Sequence, residues 1–444
     1  MSTTSTRPRR HVIESWNPED PKKWSAKTAW ITLAVSTYSM TIAFCVWFLV
    51  SAIAPKLNDI GFHFDKGQLY WLAAMPGLSA GLIRLCYMFL PPIIGTRKLI
   101  GFSSLLYIIP MVGWFFAVQN SHTSYVTLLI LAFICGIGGG SFSGYMPSTG
   151  YFFPKRLQGT ALGIQAGIGN LGMSIIQLAS PLLMGVGLFG ITFIPAQKLN
   201  DGGQLWVHNA AIFFVPWTII AAIFAFTLLK DVPVKANLRQ QMHIFSNVNT
   251  WLMTILYVMT FGLFAGFSAQ FALLINNSFG KASDFAGHFD HLPAGATYAF
   301  LGPLIGSLVR VIWGPLCDKF GGAIWTFVSA VGMAITLFIC AAFLAPTSPS
   351  QFPFFLWGML AMFFFSGIGN AGTFKQMPMI MPKIQASGAI GFTAAIASFG
   401  PFFVGIALSG LGPVTWFVIC GIYCVICAII CWIQYARPKA PFPG

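Results

Sequence analysis

Apolar residues run along this chain in long stretches, broken at short intervals by polar or basic connections. A helix needs ~20 predominantly apolar residues to cross a bilayer. Twelve stretches reach that length, over about 28–53, 69–90, 98–118, 125–150, 160–187, 206–229, 250–277, 293–313, 322–345, 353–374, 386–410 and 413–435. The pattern predicts an all-α polytopic membrane protein with twelve transmembrane helices. An even number of crossings puts both chain ends on one side. The polar stretch 231–249 follows span six and reads as a linker. It divides the chain into a polar segment (1–27), a first six-helix half (28–230), a second half (250–435) and a tail (436–444).

The two halves repeat each other. Pro154-Lys155 precedes Ala161-Leu162-Gly163 and Gly172, as Pro382-Lys383 precedes Ala389-Ile390-Gly391 and Gly400. G-I-G-G-G-S-F (Gly136 to Phe142) parallels G-I-G-N-A-G-T-F (Gly367 to Phe374), with one residue inserted. Phe44 before Ser51 parallels Phe261 before Ser268, and Arg84 in span two parallels Arg310 in span eight. Two parallel six-helix halves around a midplane site are the design of secondary transporters of the major facilitator type.

Composition narrows the class. The chain is 56% hydrophobic and 8% charged, against about 25% charged in soluble domains, which excludes a soluble protein. Lys and Arg outnumber Asp and Glu 24 to 10, and the excess follows topology. Seventeen basic residues, among them Arg97, Lys155, Lys230 and Lys319, fall on the side of the chain ends, and only Lys56, Lys66, Lys198 and Lys281 fall opposite. That bias predicts both termini in the cytoplasm; nucleic acid is not an expected partner. The first 27 residues lack the apolar core of a cleavable leader. All nine cysteines lie in apolar stretches, so no disulfide framework is expected. Cys420, Cys424, Cys427 and Cys431 read as a packing face rather than a metal site.

The arginines carry the chemistry. Arg84 falls well inside predicted span two, and Arg310 nearer the end of predicted span eight. Each arginine at the bilayer centre costs ~2.5–3.5 kcal/mol on insertion scales. All ten acids, from Glu14 to Asp318, map to terminal or loop positions, so the pair has no buried carboxylate to offset it. A substrate anion is the natural partner, and the guanidinium fork suits planar oxyanions. No histidine or carboxylate relay crosses the middle, which favours exchange of anions over proton coupling.

Around this pair the sequence offers further candidates. Span five carries G-I-Q-A-G-I-G-N-L-G-M-S-I-I-Q (Gly163 to Gln177), costly in glycine for a helix. Bare backbone at Gly167 would let a substrate approach, and Asn170 would donate its amide. Ser398 stands at the matching position of span eleven and is a potential donor. Tyr257 and Phe261 share a face of span seven, and Phe44 and Phe142 would wall the site. Gly314 to Gly322 fits the G-x-x-x-D-[RK]-x-G loop pattern; its counterpart Gly95-Thr-Arg97-Lys98 lacks the acid. Lys375, at the end of span ten, is expected to snorkel. No nucleophile-base pair, metal cluster or phosphate loop is visible, so neither an enzyme nor a cofactor is expected.

With these residues in view, the chain resembles the nitrate/nitrite porters of the major facilitator superfamily over nearly its whole length. The resemblance rests on W-N-P-E-D-P-K-K-W (Trp16 to Trp24), Arg84, Gly136 to Phe142, Phe152 to Gly163, A-G-I-G-N-L-G-M-S-I-I-Q (Ala166 to Gln177), Arg310, Gly367 to Phe374 and Gly391 to Gly400. It implies a major facilitator fold in which Arg84 and Arg310 grip the anion. Asn170 and Tyr257 would hydrogen-bond it, and Phe44, Phe142 and Phe261 would wall it. Gln165 and Ala371 depart from the family pattern. The resemblance implies nitrate/nitrite exchange by rocker-switch alternating access, in a bacterial inner membrane and by a monomer. A nitrate/proton symporter, an antiporter of another small organic anion and a transporter-like sensor are the alternatives.

Overall fold

A computed structural model describes residues 11–185, 195–199, 202–233, 243–289 and 291–442, apart from the side chains of 383–387. Twelve helices are long and apolar enough to cross a membrane. Spans one to six are Ala26–Trp47, Lys66–Tyr87, Thr96–Ala117, Tyr125–Gly150, Lys155–Met184 and Val207–Leu228. Spans seven to twelve are Val248–Ser278, Gly295–Phe320, Gly322–Phe343, Pro349–Ile380, Gly388–Leu411 and Pro413–Ala436. The side of the bundle carrying residues 11 and 442 is the near side below, the opposite one the far side. The proposed linker falls partly outside the described residues. One two-stranded antiparallel hairpin, Gln197–Lys198 with Gln204–Leu205, interrupts the all-helical pattern between spans five and six.

Local chemistry sets the helix ends. Asp65 caps span two in a capping box: its carboxylate accepts from the Gln68 N–H at 2.8 Å, and the Gln68 side chain accepts from the Asp65 N–H at 3.0 Å. Pseudo-symmetry shows where the spans turn. Gly95 after span two and Gly321 after span eight both take left-handed φ, +82° and +85°, a conformation that only glycine adopts without strain. The acid that the first loop lacks comes from elsewhere in the chain. Asp231, beyond span six, accepts from the Arg97 N–H at 2.9 Å.

Two sequence boundaries shift. Span eight stays helical to Phe320, so the G-x-x-x-D motif is the last turns of a helix rather than a loop, and Asp318 is a helical acid. Lys375 does not simply snorkel; its ammonium pairs with Asp318. Span ten continues helical to Ile380, which brings Lys375 within reach.

The N-terminal segment is strapped to the near side. Trp16 and Trp24 donate their indole N–H groups to the Tyr151 and Phe152 carbonyls at 3.1 and 2.9 Å. Glu19 accepts from the N–H of Lys155, the first residue of span five, at 2.8 Å, where a carboxylate suits the helix dipole.

The two halves are tied on the far side. Gln177 of span five donates its amide to Ser51 Oγ at 3.1 Å and to the Ser268 carbonyl at 2.7 Å, so one side chain joins the two pseudo-symmetric serines. Ser174 donates to the Phe300 carbonyl at 2.8 Å, and Gln270 to the Tyr70 carbonyl at 3.2 Å. Toward the near side spans five and eight part. Gly167 faces Val311, whereas Gly159, Gly163 and Gly314 have nothing within 4 Å of where a Cβ would stand.

The glycines of span five therefore differ in purpose. A Cβ at Gly172 would strike the Thr41 carbonyl of span one, and one at Gly163 would meet open space. We expect Gly172→Val to lower the thermal midpoint of the detergent-solubilised protein by several degrees or to abolish folded yield. Gly163→Ala should leave it unchanged. Equal tolerance at both positions would refute this packing assignment.

Candidate functional site

Both arginines are withdrawn from solvent, Arg84 at 0% and Arg310 at 5% exposure. Their places along the helices are the reverse of the sequence expectation. Arg84 lies in the last turn of the span-two helix, which ends at Tyr87, and Arg310 lies near the middle of span eight. Helix end or not, Arg84 is covered, because spans four and eleven close over it. Its Nε donates to the Gly139 carbonyl and its Nη1 to the Ala394 carbonyl, each at 2.8 Å. The second of these bonds crosses from one half to the other.

Aromatic rings fill the space between the two cations. The Arg84 guanidinium carbon is 4.7 Å from the centre of the Phe142 ring and 5.4 Å from those of Phe261 and Trp47. Arg310 stands 4.7 Å from the Phe374 ring. Phe142 and Phe374, the paired ends of the glycine-rich repeats, meet edge to face at 6.2 Å. Phe44 and Phe261 stack on Phe142 at 6.2 and 6.5 Å. Tyr257 lies parallel to Phe261 at 5.4 Å and against Phe374 at 5.1 Å. Ring faces are negative, so each guanidinium gains ~0.5–2 kcal/mol here.

That gain does not complete the arginines' hydrogen bonding. Arg84 Nη2, Arg310 Nη1 and both polar atoms of the Asn170 amide are buried without a hydrogen-bond partner, and the buried Tyr257 hydroxyl faces the Arg310 guanidinium. The two guanidiniums lie within electrostatic reach of each other and of Tyr257. The ion pairs among the described residues are Lys23–Asp20, Lys56–Asp59 and Lys375–Asp318; none involves Arg84 or Arg310. Buried donors left unmade cost about 1–3 kcal/mol each, more when charged. N–H groups with no carboxylate among them make a candidate site for an anion.

The structure thus joins Arg84, Arg310, Tyr257, Phe44, Phe142 and Phe261 through direct contacts. Asn170 lies one turn beyond Gly167 on span five, the span whose Gly167 meets Val311, next to Arg310. Two expectations change. Gly167 is bare because span eight packs there, not because open backbone faces a ligand. The Ser398 hydroxyl donates to the Ala395 carbonyl at 2.7 Å, so it is placed to accept rather than to donate. Gln165 reaches toward the Tyr145 carbonyl of span four at 3.5 Å. Sequence reasoning passed over Phe374, although the repeat that matched it to Phe142 was the signal. It had no means of finding the Gly139 and Ala394 carbonyls, because backbone groups leave no mark in a sequence.

Comparison with known proteins gives the class. The Major Facilitator Superfamily model matches residues 36–310. The fold is similar to the crystal structure of a D-xylose-proton symporter, with a TM-score of 0.67 over 91% of this chain and 97% of that one, at 15% identity. The chain is 53% identical over 396 residues to the probable nitrate/nitrite antiporter NarK2 of Thermus thermophilus, covering 88% of this chain and 87% of the relative. It is 33% identical to the nitrate/nitrite transporter NarU of Escherichia coli K12, covering 99% of each. The chain belongs to the major facilitator superfamily and, within it, to the nitrate/nitrite porter family.

Phe374 supports Arg310 as Phe142 supports Arg84. We expect Phe374→Leu to weaken apparent anion affinity about tenfold, matching loss of ~1–2 kcal/mol of cation–π attraction, with folded yield retained. Affinity is read from the concentration dependence of anion counter-flow in proteoliposomes. Wild-type affinity in this variant would contradict the assignment.

Proposed function

We propose that the chain exchanges nitrate for nitrite across a bacterial inner membrane, as a monomer with both termini in the cytoplasm. Arg84 and Arg310 bind the anion from the two halves. Tyr257 and Asn170 donate hydrogen bonds to it, and Phe44, Phe142, Phe261 and Phe374 exclude water. The observation that carries this reading is the pair of buried guanidiniums, each with an unpartnered N–H and no carboxylate in contact. The printed activities of the relatives, nitrate/nitrite antiport and transport, supply the anions. Both are small, planar and singly charged, which fits a site of two cations walled by aromatic faces.

Exchange follows from charge. Two like charges in a low-dielectric interior repel more strongly than in water. A carrier without anion resists closing around them, and bound anion cancels part of the repulsion. The loaded carrier then rocks about the midplane and the unloaded one does not. The far-side clasp at Gln177 opens in one direction of that motion, and the parted ends of spans five and eight close in the other.

In liposomes loaded with nitrite, labelled nitrate should accumulate, and a pH gradient without internal anion should drive no uptake. Uphill uptake on the pH gradient alone would establish proton symport instead. Arg84→Lys and Arg310→Lys should each cut exchange about 100-fold or more, because lysine keeps the charge and loses the fork. Wild-type exchange in either variant would sink the site assignment.

A further inference from the structure

Span seven is not a regular α-helix where it passes the site. Residues Val258–Gly262 form a π turn, closed by a bond from the Leu263 N–H to the Val258 carbonyl. Such one-turn expansions are rare and are frequently found at functional sites. This one begins directly after Tyr257 and contains Phe261. It lets the two rings lie 5.4 Å apart at an interplanar angle of 4°, both within reach of the arginines. An extra residue in a turn rotates everything on one side of it by about 100° relative to an unbroken α-helix. Where the π turn sits therefore decides which way the Tyr257 hydroxyl points.

One short stretch of span ten braces this turn. Gly369 is bare where a Cβ would strike the Thr260 side chain and Ser329. Asn370, 1% exposed, donates its amide to the Thr260 carbonyl at 3.4 Å, while its own amide oxygen is unpartnered. Thr373 stands 3.5 Å from the Thr260 hydroxyl. Phe374 follows directly and carries both Arg310 and Tyr257. A buried amide in so apolar a stretch is costly unless it serves a bond, and its bond goes to the middle residue of the π turn. In the matching segment of the first half a glycine stands instead, and the Gly139 carbonyl there receives Arg84. Asn370 thus belongs to the second half alone.

We propose that Asn370 is a positioning residue that sets anion selectivity through Tyr257. By holding the Thr260 carbonyl it fixes the π turn that follows Tyr257 and carries Phe261, and so aims the Tyr257 hydroxyl at the anion. The proposal rests on the nitrate/nitrite reading. Guanidinium forks serve two oxygens of either anion, and nitrate has a third that requires another donor. Loss of the brace therefore weakens nitrate more than nitrite.

The test is counter-flow of labelled nitrate and nitrite in proteoliposomes, with folded state checked by monodisperse elution. Asn370→Leu should raise KM for nitrate about tenfold, raise KM for nitrite less than threefold and change kcat less than twofold. Asn370→Gln, which keeps an amide donor, should stay within threefold of wild type for both. In a Tyr257→Phe background Asn370→Leu should add less than twofold to the nitrate KM, because both changes remove the same donor. If Asn370→Leu does not elute as folded protein, Asn370→Ser is judged by the same criteria. Equal rises for both anions, a fall in kcat alone, or full additivity with Tyr257→Phe would overturn the proposal. Failure of the wild-type protein to exchange the two anions would instead overturn the functional reading beneath it.

Discussion

The arrangement depends on two guanidiniums held in a low-dielectric interior without a carboxylate. Burial of unpaired charge is the costliest common arrangement in a folded protein. Here its cost is offset piecemeal: ring faces for both cations, and two carbonyls for Arg84. None of these neutralises charge. The architecture around the pair follows from that constraint. The glycine-rich repeat of span four brings the Gly139 carbonyl to Arg84, and the repeats of spans four and ten present Phe142 and Phe374. Arginine spans two and eight lie against spans eleven and five across the boundary between halves. What remains unmet is N–H donors, the complement of an anion.

The halves are not equal jaws. Arg84 is bonded to two backbone carbonyls on two different helices, so its plane is fixed. Among the described residues no carbonyl takes Arg310 in the same way; it rests on Phe374 and keeps Nη1 unpartnered. The glycine repeats differ in the same region, the second carrying one residue more. There, Asn370 directs its amide at span seven, and the position of Gly139 has no bare-backbone equivalent aimed at the arginine. One cation is therefore preset and the other adjustable, and span seven supplies the hydroxyl between them.

Much of this was legible in the chain. Twelve apolar stretches and the doubled glycine motifs give the fold class, and the unpaired arginines give the centre of the candidate site, because each is a property of residue type and spacing. Helix ends were not legible. Asp318 and Lys319 read as loop and put Arg310 near a boundary, whereas Asp318 is a helical residue paired with Lys375. Gly163 and Gly172 look alike in sequence, yet one faces open space and the other a carbonyl. Which glycine is pressed depends on helix rotation, and a segment apolar on most of its faces leaves rotation undefined. Ser398 shows the same limit: a hydroxyl can be counted from sequence, but its bond to the Ala395 carbonyl cannot.

The bond from Arg84 to Ala394 links this chemistry to motion. It joins span two to span eleven at the level of the site, and a rocking movement of the halves must lengthen it. Giving up a buried carbonyl without another acceptor costs a guanidinium about 1–3 kcal/mol or more, since the freed N–H is stranded in an apolar cage. An arriving oxyanion is such an acceptor, and a stronger one than a carbonyl because the bond is charge-assisted. Anion binding and release of the cross-half tie are then a single exchange of acceptors. In the proposed exchange, once an anion leaves, Ala394 retakes the guanidinium and the halves stay tied until a second anion displaces it. Ala394 holds the halves together while an anion frees them, so the geometry of one hydrogen bond connects site occupancy to permission to move.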